Sequence, residues 1–392
     1  METKILRAVL VGALLVAGTA GCSGDADADP APAPEGGSAE WRRLPDPPLS
    51  PRDEAVLVGL GDRVLVVGGW EFYCPPGAGC ATPSEPLFPD GALYDASSDS
   101  WRRIAPAPFG VRGHGGTTAG LEGTAYLVTR CADGPACGAP PRLLSYRPAD
   151  DRWADHGAVP GLEYGGRVTP VGSTLVISGG SAPDQFIDVV FDPARSTWTE
   201  LPDDPLPPVY DRFLVQVEDQ LVVAGSPITA PGTEEQPAKT AARFDVAAGR
   251  WVALPDAPGP GYELFPTDQG PLLAGSTRGG PNWLLDPSTW TWTEVRESTR
   301  EDDDVDGVLD RDRATYGLEG ALGGPTYATP VVFHSATGDF LTLRPPPGRE
   351  DVSGGSSTAL GRDLVIHGGQ RWSGGYDGEL VGDAWLWSAP TG

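Results

Sequence analysis

The chain of 392 residues carries a formal net charge of −26, with 54 acidic side chains against 28 Lys and Arg. A field of that sign repels phosphate backbones and argues against a nucleic-acid partner, and beyond residue 21 no apolar run is long enough for a membrane-spanning helix. Its 54 glycines and 42 prolines punctuate short Val- and Leu-rich runs, and helical spacing of apolar residues is missing, so the chain reads as all-β.

Residues 1–21 read as an export signal, with Lys4 and Arg7 at the positive end, an apolar centre from Ala8 to Gly18 and a small-residue exit at Thr19-Ala20-Gly21-Cys22. Small residues before a cysteine resemble the lipobox of bacterial lipoproteins, with Thr19 in place of the usual Leu. The resemblance implies that Cys22 is lipidated and holds the chain to the cell membrane on its extracytoplasmic face; a plain secretory signal cut after Ala20 is the alternative. Residues 22–40 are rich in Asp, Ala, Pro and Gly and form a flexible tether.

Residues 41–392 contain a recurring unit, most complete between Arg52 and Pro108. There an apolar run, Glu54 to Leu60, is followed by Arg63-Val-Leu-Val-Val-Gly-Gly69, a loop, Ala92-Leu-Tyr-Asp95 and Trp101-Arg-Arg-Ile104. Aligning on the aromatic that opens the last strand gives Trp41, Trp101, Trp153, Trp198, Trp251, Trp292 and Phe340, at intervals of 41 to 60 residues. Strands ending in small residues precede them, as in Leu175-Val-Ile-Ser-Gly-Gly180 and Leu364-Val-Ile-His-Gly-Gly369. Such a unit predicts one four-stranded propeller blade, its central strand apolar throughout because neighbouring blades cover both faces. The pattern resembles the kelch repeat and the kelch-like propeller of galactose oxidase. The count predicts seven blades, the last built from Ser353–Leu360, Asp363–Gly369 and Asp383–Ser388 and closed by the N-terminal strand Trp41–Leu44. Because the sixth unit is worn, a six-bladed ring with an insertion is the competing count.

The loops from fourth to first strand and from second to third are the longest and most polar, and in kelch proteins that face commonly binds partners. Candidate ligand-binding residues there are Arg52, Arg112, Arg212 and Arg313, which recur near the start of a first strand, and the aromatics Trp70, Tyr73, Trp372 and Tyr376. The alternatives are guanidinium groups bonded to neighbouring loop carbonyls or carboxylates, and aromatics packed over their own loops. Cys74 with Cys80 and Cys131 with Cys137 share one spacing and read as two local disulfides, with a four-cysteine zinc site the competing reading. Asp302, Asp304, Asp306 and Asp310 follow D-x-D-x-D-G-x-x-D, which resembles the Ca²⁺ loops of integrin propellers; a solvated acidic turn is the alternative. Galactose oxidase and bacterial N-acetylneuraminate epimerase share this kind of propeller. The oxidase's copper ligands have no counterpart here: His114, His156, His334 and His367 lie in different repeats, His367 inside a central strand. No copper is expected, and nothing in the sequence singles out a general base. The expectation is a module binding a cell-surface protein or glycan, with no catalysis; the alternative is a carbohydrate-active enzyme on the same scaffold.

Overall fold

The computed structural model describes residues 41–72, 87–112, 117–129, 140–182, 185–228, 238–259, 261, 263–267, 269–274, 282–295, 331–334, 339–342, 345–349, 351–353, 355–361, 363–374 and 377–388. The chain divides into two units, Met1–Glu35 and Gly36–Gly392, and every described residue belongs to the second. The regular structure of its described residues is antiparallel β-sheet. Among the described residues six sheets have four strands, and no helix is long and apolar enough to cross a membrane.

Five of these sheets are consecutive meanders. The first blade runs Val56–Gly59, Arg63–Val67, Gly91–Asp95, Ser100–Arg103. Three more run from Thr118 to Ala158, Tyr164 to Glu200 and Val209 to Ala253, and a fifth from Glu263 to Val295. The last blade joins Ser356–Leu360, Asp363–His367 and Ala384–Trp387 to the N-terminal strand Trp41–Arg43. In that register Trp41 faces Trp387, Arg42 faces Leu386 and Arg43 faces Trp385. First strands of successive blades lie side by side, with those of the last and first blades also in contact, which is the plan of a β-propeller. A hairpin, Val331–His334 with Asp339–Thr342, is described between the fifth and last blades.

The apolar second strand is the reason that blades stack. Val64, Leu65, Val66 and Val67 are all sealed from solvent, so both faces of that strand are covered. Each core cluster accordingly spans two blades: Val58, Leu65 and Leu93 of the first meet Leu127, Leu144 and Tyr146 of the second. At the join, Leu44, Val365 and Leu386 meet Leu57, Val64 and Tyr94.

Four tryptophans near the start of fourth strands, Trp101, Trp153, Trp251 and Trp292, are half-buried and fasten one blade to the next. In that order they donate their indole N–H to the carbonyls of Pro45, Ala105, Pro202 and Pro255 at 2.7–2.9 Å. Each acceptor lies where the chain leaves the preceding blade. Trp41 is likewise half-buried, and the residue sealed at that strand's end is Leu44.

Candidate functional site

The lead-ins to the first and second blades cross close to the end of the first blade's second strand, and glycine makes the crossing possible. Gly68 and Gly69 have φ of +75° and +85°. A Cβ on Gly68 would lie 2.1 Å from the Val111 carbonyl oxygen, and one on Gly69 would lie 2.5 Å from that of Asp53. Gly69 N–H donates to Val111 O at 2.8 Å, and Asp53 and Trp70 exchange backbone hydrogen bonds at 3.0 and 3.1 Å. This lattice sets Asp53-Glu54, Trp70 and Arg112 beside one another on the loop-rich face.

Glu54 is the unusual member. Its backbone is left-handed, φ +48°, although it is not glycine. The side chain as a whole is 34% exposed, yet Oε2 is closed off and has no hydrogen-bond partner among the described residues. Arg112 Nη1 approaches that oxygen only to 3.4 Å, and the Arg112 guanidinium lies 5.0 Å above the Trp70 ring. Burial lifts the Glu54 carboxyl to about 6, against the pull of Arg112 and with a further push from Asp53. Asp53 is itself raised by burial, and the Glu54 amide and the Gln370 side-chain amide, from just past the last blade's second strand, both hydrogen-bond to it. The result is an acid poised near neutrality beside a loosely held guanidinium, with the buried indole of Trp70 beneath it.

Of the expected arginines that fall among the described residues, only Arg112 stays loosely held. Arg52 is 1% exposed; it donates to Gly68 O, to Ser50 and to both oxygens of Asp90. Arg212 is buried against Asp188, Ser178 and Asp204, so it ties the fourth blade to the third. Both follow the alternative of bonding within the protein. Arg349, which sequence reasoning passed over, repeats the Arg52 arrangement on the last blade, donating to Gly368 O and Asp383. The likeness of Pro51-Arg-Asp-Glu54 to Gly348-Arg-Glu-Asp351 was the available signal.

Trp70 is buried and packs edge-on against Phe72 at 5.2 Å, covering its own loop. Trp372 lies in a short strand, Gln370–Gly374, paired with Asp377–Leu380 and Val352–Ser353, a three-stranded sheet within what the sequence presents as loop. Tyr73, Tyr376, Arg313, Cys22, Cys74, Cys80, Cys131, Cys137, Asp302, Asp304, Asp306, Asp310 and His114 lie outside the described residues. Among the described residues no group of three or more His, Cys, Asp or Glu is arranged to hold a metal ion. His156 packs between Tyr126 and Phe191, with Nε2 2.8 Å from Ser145 Oγ.

No protein-family profile matches this chain. A stretch of 93 residues is 33% identical to N-acetylneuraminate epimerase of Yersinia enterocolitica, covering 23% of this chain and 22% of that protein's length. The match is local. A solved structure titled "Structure of YjhT" aligns with 63% of this chain and 84% of its own, at 18% identity and a TM-score of 0.41.

Proposed function

We propose that this chain is a seven-bladed kelch-like propeller, exported and held at the membrane by lipidated Cys22, that binds a glycan or protein at the cell surface. Glu54 and Arg112 form the centre of contact, with the buried Trp70 ring beneath the Arg112 guanidinium. The observation that carries this reading is the loose Glu54–Arg112 pair: at 3.4 Å the guanidinium keeps donors free to turn toward a ligand hydroxyl or carboxylate. Cys74–Cys80 and Cys131–Cys137 belong to the proposal as disulfides that shape the surrounding loops, and Asp302, Asp304, Asp306 and Asp310 as a Ca²⁺ loop. Seven blades require the Val331–Thr342 hairpin to be part of a sixth.

One observation favours a second reading, a carbohydrate-active enzyme. A carboxyl near 6 beside an arginine suits proton transfer at neutral pH, and the local match is to an epimerase. Screening residues 36–392 on a glycan array, with parallel assays of sugar epimerisation and oxidation, tests both. Binding without turnover supports the module. Turnover that Glu54→Gln abolishes would put the enzyme first.

A further inference from the structure

His367 is a buried titratable group that the loop face does not use, and we infer that it is an acid-operated release for the junction where the N-terminal strand completes the last blade. The side chain is 1% exposed, and among the described residues neither Nδ1 nor Nε2 has a hydrogen-bond partner. Within its sheet His367 stands opposite Ser356 on one side and Ala384 on the other. The Ala384 carbonyl in turn accepts the Leu44 amide at 2.9 Å, at the end of the closing strand. The imidazole is therefore in line, across the sheet, with the bond that anchors the N-terminal strand.

Three charged groups act on the ring: Arg52 from the lead-in to the first blade, Arg349 from the lead-in to the last, and Asp383 from just before the last blade's third strand. Their charges are already engaged, Arg52 with Asp90 and Arg349 with Asp383. Asp383 is also structural, since its carbonyl accepts the Gly368 amide at 3.1 Å and its carboxylate the Trp385 indole at 2.7 Å. A proton on His367 would make a third cation in a buried site. Relief requires Asp383 to turn from Arg349 toward the ring, or water to enter; either loosens the turn that positions Ala384.

Burial, with Arg52 and Arg349 adding to it, holds the ring neutral down to about pH 4, below the ordinary histidine value of 6.5. The unfolded chain thus takes up a proton that the folded chain refuses. Above pH 6.5 this site exacts nothing; as pH falls from 6.5 to 4 the penalty grows, and below 4 it is constant.

The test is urea unfolding of residues 36–392 at pH 7 and pH 5, for wild type and His367→Leu. Hydrogen exchange of the segment 41–44, corrected for intrinsic rates, is followed in parallel. The wild type should lose roughly twentyfold more in folding constant between the two pH values than the variant, with protection of 41–44 falling at pH 5 in wild type only. Should His367→Leu not fold, imidazole titration of the wild type by NMR with assigned rings decides: the His367 ring must remain neutral at pH 5. Equal acid sensitivity of wild type and variant, unchanged protection of 41–44, or a His367 ring titrating near 6.5 would overturn the inference.

Discussion

Glu54 combines a left-handed backbone, a sealed oxygen and a carboxyl lifted to about 6. Because the folded value lies above the ordinary 4.5, the folded state favours the protonated acid. The resulting stabilisation is present below pH 4.5 and is lost as pH rises through 6. Glu54→Gln should therefore raise the thermal midpoint at pH 7.5 and leave it unchanged at pH 4, as calorimetric scans at both values would show. The arginines behave differently. Arg212 and Asp188 are 2% and 5% exposed as side chains, so Arg212→Met should cost about 3–5 kcal/mol in urea unfolding by stranding a buried carboxylate. Adding Asp188→Leu should recover a large part of that loss. The recurrence of these arginines is visible in the sequence. What recurrence cannot show is which of them meets a carboxylate from its own or a neighbouring blade, because Asp90, Asp188 and Asp383 are remote in sequence and ordinary in type. Glu54 was equally hidden: one acidic residue among 54 is singled out only by the chain crossing above it.

At the scale of elements, the Gly-Gly strand end and the Trp-led outer strand have distinct jobs. Gly68 lets the lead-in to the second blade cross the first, and Gly368 does the same for Arg52, whose carbonyl would lie 2.7 Å from an added Cβ. An alanine at position 68 would meet both a positive φ and a backbone clash. The tryptophans add a directional bond to apolar bulk. Trp251→Phe should cost about 1 kcal/mol, the net worth of one neutral hydrogen bond, whereas Trp251→Ala should cost about 3–5 kcal/mol. Equal losses for the two substitutions in urea unfolding would remove the indole–Pro202 bond from the account. These strands were legible because their patterns depend on local burial: Arg63–Gly69 predicts the observed Arg63–Val67 and its Gly turn, and Asp363–Gly369 predicts Asp363–His367. The three-stranded sheet of Val352–Ser353, Gln370–Gly374 and Asp377–Leu380 was not. Its polar, Gly-rich strands carry no period-two apolar pattern.

For the whole molecule, the pairing of residue 41 with residue 387 joins the two ends of the propeller. The arithmetic of missing strands foretold it, since an unpaired blade edge at each end is a costly alternative. Deleting residues 40–45 removes that pairing and the buried Leu44, and should lower stability by about 3 kcal/mol or more across the domain. An unchanged melting temperature would refute the closure. Function was less legible, because a propeller fixes where loops emerge and leaves their chemistry to side chains brought together from separate blades. The most direct test of the account is calorimetric titration of residues 36–392 with the strongest glycan from the array, in wild type and Arg112→Ala. The account predicts saturable binding by the wild type and at least a tenfold weaker affinity in the variant, with the melting temperature little changed. Equal affinities, or no carbohydrate or protein retained by the loop face at all, would contradict it.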